Sequence, residues 1–147
     1  MVANGRADGG LVDDGRMLEN WRSHTTLPAL DLERAKRFYA EKLGLTPVSE
    51  TPGGVFYVTA AGTRFILFPT PNPSRGGHTQ IGFSVDDIEA AVAGLSAAGV
   101  VFEEYDFPGL RTEGGIARTG DLRAAWFKDS EGNLIGLVQL PPGVDPA

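Results

Sequence analysis

The apolar positions of this chain follow two rhythms. Most of the stretch from Arg22 to Leu140 alternates apolar and polar residues in short runs, the pattern of half-buried strands. Twice the spacing changes to the three- and four-residue steps of a helix. Leu32, Ala35, Tyr39 and Leu43 form one such stripe, with Asp31 placed to cap its start and Gly44 to stop it. Ile88, Ala91, Val92 and Leu95 form the second, beginning after Asp87 and running to Ala98. Strands are predicted at residues 22–29, from 48 to 51, at 78–85 and at 100–105. Two hairpins are predicted, 55–59 with 63–68 around Ala60-Ala61-Gly62, and 124–128 with 134–140. Residues 107–121 read as a long irregular connection with one strand near Ile116.

The two halves repeat. Asp31-Leu32-Glu33-Arg34-Ala35 recurs as Asp87-Ile88-Glu89-Ala90-Ala91, an offset of 56 residues. At the same offset Leu27 matches Phe83, Ala29 matches Val85, Tyr39 matches Leu95 and Leu45 matches Val101. The order β-α-β-β-β therefore occurs twice, with one helix per copy, which gives an α+β chain of two βαβββ modules. Each sheet keeps one face under its helix, and the other faces of two such curved sheets would enclose a cup. The expected organisation is a tail at 1–20, a single domain at 21–140 and a second tail at 141–147. Within the domain, module one spans 21–70, a Pro- and Gly-rich linker 71–77, and module two 78–140.

Composition narrows the chemistry. The 147 residues contain no cysteine, which removes disulfides, thiolate metal sites and thiol nucleophiles. A net charge of −6 and the lack of any basic patch argue against nucleic acid as a partner, and no run approaches the roughly 20 apolar residues of a membrane span. The start of the chain has no apolar segment of the secretory kind, so a cytoplasmic location is expected. Neither a phosphate-binding glycine loop nor a Ser–His–Asp arrangement is recognisable.

Two stretches carry a family resemblance. Leu27-Pro28-Ala29-Leu30-Asp31-Leu32-Glu33-Arg34-Ala35-Lys36-Arg37-Phe38-Tyr39, closing at Leu43-Gly44-Leu45, resembles the opening of the vicinal oxygen chelate superfamily. Trp126-Phe127-Lys128-Asp129-Ser130-Glu131-Gly132-Asn133-Leu134-Ile135-Gly136-Leu137 resembles its ending. This superfamily holds glyoxalase I, bleomycin-resistance proteins, methylmalonyl-CoA epimerase and extradiol dioxygenases. The resemblance implies the glyoxalase/bleomycin-resistance/dioxygenase fold, a cupped mixed sheet. It also implies four ligand points in members that use a metal, which fall here on His24, Leu67, Gln80 and Gly136. Only His24 and Gln80 carry donors. One imidazole and one amide are a poor replacement for a cation's hydration shell, so no metal or other cofactor is expected. His78, two residues before Gln80, shares its strand face and is the one nearby residue that would complete a shifted site.

Hairpin geometry extends the cup. It pairs Tyr57 with Phe65, Val55 with Leu67 and Trp126 with Gly136. The expected lining is His24, Thr26, Tyr57, Phe65, Leu67, His78, Gln80 and Trp126, with space left beside the indole where Gly136 replaces a carboxylate. Arg111 and Arg118, on the irregular segment, are available to an anionic ligand. Besides an interaction module that holds no ligand, two readings stay open. One is a metal-free binder of a small molecule, with an aromatic cup. The other is a lyase, isomerase or dioxygenase of the same superfamily, with His24 as base or metal ligand. A homodimer is expected in either case, because open sheet edges and apolar faces are costly to leave exposed.

Overall fold

The computed structural model describes residues 17–144. The expected tails at 1–20 and 141–147 lie outside the described residues for positions 1–16 and 145–147. Of the rest, Leu18–Asn20 form a single 3-10 turn.

Module one consists of β1 (Thr25–Ala29), α1 (Leu32–Leu43), β2 (Ser49–Thr51), β3 (Gly54–Val58) and β4 (Arg64–Pro69). Its sheet has the order β1-β4-β3-β2, with β1 and β4 parallel and the other pairs antiparallel. Module two consists of β5 (Ile81–Ser84), α2 (Ile88–Ala97), β6 (Asp106–Phe107), β7 (Leu110–Glu113), β8 (Ile116–Thr119), β9 (Leu122–Lys128) and β10 (Leu134–Gln139). Here β5 runs parallel to β10, and the order is β5-β10-β9-β8-β7-β6. The repeat is thus structural: β1 matches β5, α1 matches α2, and each parallel pair joins the first strand of a module to its last. Both helix starts use the same device. Asp31 Oδ1 accepts from Arg34 N at 3.0 Å and Asp87 Oδ1 from Ala90 N at 3.1 Å. Gly44 closes α1 in the left-handed region at φ 70°.

The core lies between the helices and one face of both sheets. Tyr39 of α1 packs on Tyr57 and Phe65, ring centres 5.5 and 5.7 Å away, and those two rings stack at 4.8 Å. Phe65 meets Phe83 edge-on at 6.3 Å, so the cluster crosses from one module into the other. Leu27, Leu67, Ile88, Phe127, Ile135 and Leu137 complete it.

Two expectations in module two change. Residues 100–105 make only an isolated bridge, Phe102 with Phe127, rather than a strand. The Glu104 carboxylate instead accepts from the Thr112 hydroxyl and, at 3.0 Å, from Gly115 N, while Tyr105 N donates to Thr112 Oγ1 at 2.8 Å. These side-chain bonds supplement two backbone bonds, Glu103 N to Trp126 O at 2.8 Å and Thr112 N to Tyr105 O at 2.9 Å. The supposed loop at 107–121 is a meander of three strands, β6 to β8. Gly114 and Gly115, at φ 60° and 81°, form the two-residue hairpin turn between β7 and β8 that needs positive φ at both positions.

Candidate functional site

Strand alternation separates the residues that the sequence grouped into one cup. The predicted pairs are all present: Val55 with Leu67, Tyr57 with Phe65, Trp126 with Gly136. The faces differ between modules. Tyr57, Phe65 and Leu67 point under α1 into the core, each no more than 1% exposed, and of the three Phe65 alone also borders a cavity, of about 400 Å³, at the seam of β1, β4 and β5. Because Thr25 pairs with Phe65 in β1–β4, His24 and Thr26 fall on the opposite face from these three. That open face carries Phe56, Val58, Ile66 and Phe68, all half-buried. In module two, Ala125, Phe127, Ile135 and Leu137 take the helix side, which leaves Trp126, Gly136 and Gly82 on the open face.

Trp126 dominates that face. Its indole lies against Gly136: a Cβ at Gly136 would stand 3.3 Å from Trp126 Nε1 and 3.1 Å from Thr79 Cγ2. The expected space beside the indole is therefore filled by the indole itself. The Trp126 Nε1–H donates to Thr79 Oγ1 at 3.0 Å, so the ring is fixed and its polar edge satisfied. Tyr105 packs edge-on to Trp126 at 5.7 Å, and Phe107, 54% exposed, packs edge-on to Tyr105 at 6.0 Å. Thr79, Tyr105 and Phe107 were absent from the sequence-derived lining. The available signal was an aromatic pair inside an otherwise acidic irregular segment.

Gln80 has a structural task. Its Nε2 donates to Asn133 Oδ1 at 2.9 Å, and its Oε1 accepts from Leu134 N at 3.0 Å and Ser74 Oγ at 2.7 Å. Asn133, fully buried, donates in turn to Pro28 O at 3.0 Å and to Asp129 Oδ2 at 2.8 Å. Tyr39 OH donates to the same Asp129 oxygen at 2.7 Å. Glu131 accepts from Asp31 N at 2.9 Å and from Arg34 Nε and Nη2 at 2.8 and 3.0 Å. The turn Asp129-Ser130-Glu131-Gly132-Asn133 is thus a clamp from module two onto α1 and β1 of module one. Burial pushes the Glu131 carboxyl up, but the hydrogen bonds from Arg34, Asp31 and Ser130 outweigh it and hold the group down at about 2.

The two sequence-derived donors do not meet. His24 precedes β1, whereas Gln80 reaches, through Asn133, the Pro28 end of the same strand. Among the described residues no contact joins them. His24 is exposed and lines a depression of about 750 Å³ with Trp21, Arg22 and Arg64. His78 is exposed beside the linker. Arg111 is also exposed, on β7, and pairs with Glu113 at 3.5 Å.

A metal ion does not fit this donor set. Among the described residues no three His, Cys, Asp or Glu side chains gather to hold one. Leu67 faces the core, its open-face neighbours Ile66 and Phe68 carry no donor, and Trp126 covers Gly136.

The pattern of the Glyoxalase/Bleomycin resistance protein/Dioxygenase superfamily matches residues 21–137. The chain belongs to this superfamily. Its relatives include the uncharacterized protein YurT of Bacillus subtilis (strain 168), 27% identical over 122 residues, covering 78% of this chain and 95% of that one. A glyoxalase/bleomycin resistance protein from Streptomyces sp. CB03234 is 30% identical, with a TM-score of 0.56 over 78% of this chain and 96% of that one. TnmS3, an antibiotic binding protein from the same organism, is 28% identical, with a TM-score of 0.54 over 80% and 96%. As a superfamily member the chain has the two-module α+β fold, and among its described residues no helix is long and apolar enough to cross a membrane.

Proposed function

We propose that the protein is a small-molecule binder of this superfamily that takes a planar, aromatic ligand against Trp126 and uses no metal ion. The carrying observation is the placement of the indole across Gly136, where a metal-using relative would place a carboxylate. The indole N–H is committed to Thr79, so the ring offers its face rather than a hydrogen bond, next to Tyr105 and Phe107. The likeness to TnmS3, an antibiotic binding protein, supports the reading. So does the net charge of −6, which favours the approach of a cationic ligand.

The ligand set is redrawn accordingly. Trp126 is its centre, His24 and His78 are solvent-accessible contributors, and Arg111 lies on the strand beyond the aromatic pair. Tyr57, Phe65 and Leu67 leave the set because they are core, and Gln80 leaves because its polar atoms are used. The protein works as a cytoplasmic homodimer, a second copy covering the half-buried Phe56, Ile66 and Phe68 face that no helix of the described residues covers. Residues 21–140 act as one folding unit, since the Asp129–Asn133 clamp ties module two to α1.

Native mass spectrometry of protein purified without chelator tests this. The expected species is a dimer with no stoichiometric metal. One zinc, nickel, iron or manganese ion per chain overturns the metal-free reading, and monomer at tens of micromolar overturns the dimer.

A further inference from the structure

Three cavities share lining residues along the seam between the modules, and Trp126 lines none of them. The innermost, about 250 Å³, lies between the ends of the helices and is walled by Leu43, Leu45, Leu95, Phe127 and Leu137. It shares Thr59 and Phe83 with the next cavity, about 400 Å³, on the seam where β1 and β4 meet β5. That cavity shares Thr25, Thr63 and Arg64 with the outer depression that holds Arg22 and His24. Together they form a trench with an apolar blind end and a cationic mouth.

The chemistry changes steadily along it. At the blind end the walls are aliphatic and aromatic. At the neck the one hydroxyl, Thr59 Oγ1, is already bonded to Thr63 Oγ1 at 2.6 Å, so the neck asks for no polar partner. At the mouth Arg22 and Arg64 make no ion pair among the described residues, in a chain whose net charge is −6. An engineered apolar cavity of about 150 Å³ is enough to hold benzene. The blind end is larger and leads toward two guanidinium groups that are unpaired among the described residues.

We infer that this trench binds a free, monomeric medium-chain carboxylate, with its alkyl tail among Leu43, Leu95 and Leu137 and its head group at Arg64. Apolar walls supply the affinity and the charge at the mouth sets the orientation. A neutral alkyl chain fits the blind end equally but leaves the guanidinium groups unmatched. Trp126 lines none of these cavities, and the mouth shares only His24 with the proposed aromatic site, so the two readings can fail separately.

The probe is decanoate, with decanol as the neutral comparison, each followed by calorimetry and by NMR of methyl-labelled leucine. Decanoate methylenes should give intermolecular contacts to the Leu43 and Leu95 methyl groups. Arg64→Ala should weaken decanoate by about tenfold, the scale of losing a hydrogen bond to a charged group, and leave decanol unchanged. Leu95→Phe should fill the blind end and reduce both. Trp126→Ala should change neither, so failure of this inference and failure of the aromatic site are distinguishable. The inference is overturned if the wild-type protein shows no contacts at Leu43 and Leu95. It is equally overturned if Arg64→Ala lowers decanoate and decanol alike, or if binding begins only where decanoate forms micelles. The wild-type NMR result decides the matter even if Leu95→Phe does not fold.

Discussion

The indole of Trp126 occupies the space that a side chain at Gly136 would need. The two residues pair across β9 and β10, and a Cβ on Gly136 would come within 3.3 Å of the indole nitrogen. The Thr79 methyl, 3.1 Å from that Cβ, closes the corner from the other side, so any side chain here must displace one of the two. Gly136→Ala should push the ring off its bond to Thr79 and cost about 1–3 kcal/mol, the usual penalty for overpacking. A red-shifted Trp126 emission in a Trp21→Phe background, with a lower urea midpoint, is the expected result.

Leu67→Glu should not create a metal site. Leu67 is fully buried on the α1 side of its sheet, so the new carboxylate would sit without a partner in the core. The cost should be several kcal/mol, and far-ultraviolet circular dichroism should show loss of the folded state.

Tyr39 and Tyr57 touch each other yet should respond oppositely to loss of their hydroxyls. Tyr39 OH donates to Asp129 at 2.7 Å, whereas Tyr57 OH is buried and has no hydrogen-bond partner among the described residues. Tyr39→Phe should destabilise by about 1–3 kcal/mol because it leaves Asp129 short of a donor. Tyr57→Phe should be neutral or stabilising by up to about 1 kcal/mol. Urea midpoints of the two variants, measured side by side, check the contrast.

Much of this fold was legible in the chain. The 56-residue offset located both helix caps, and the apolar stripes located the buried faces of α1 and α2. Strand pairing followed from hairpin length, which is why Tyr57–Phe65 and Trp126–Gly136 came out in register. Facing did not follow, because a hairpin fixes which residues oppose each other and not which side the helix takes. His24 and Leu67 were placed on one wall although β1 pairs Thr25 with Phe65, so they lie on opposite faces. Gln80 looked like a ligand because its amide can bond to anything. Its partners Asn133, Leu134 and Ser74 lie 53, 54 and 6 residues away, beyond the reach of any local pattern. The strands at 106–119 were hidden because paired glycines read as loop until both are seen at positive φ.

Acid should act on the clamp between modules. Glu131 is held at about 2 against an unfolded value near 4.5. A lowered folded value means stabilisation that is present above pH 4.5 and drains away as pH falls through 2. Glu131→Gln should remove about 1–3 kcal/mol at neutral pH and flatten the loss of stability between pH 5 and 2. Chemical denaturation across that range, wild type against variant, gives the two curves to compare.

The central claim is that Trp126 forms the wall of a metal-free ligand site. It is tested most directly by fluorescence titration of the Trp21→Phe protein, dialysed against chelator, with antibiotics that carry a planar aromatic ring system. Saturable quenching is predicted, with affinity lowered by about 1–3 kcal/mol in Trp126→Ala. His24→Ala should weaken binding and leave the urea midpoint unchanged. Binding that appears only after a divalent metal is added back, or that is the same in the wild-type and Trp126→Ala proteins when followed by calorimetry, would contradict the account.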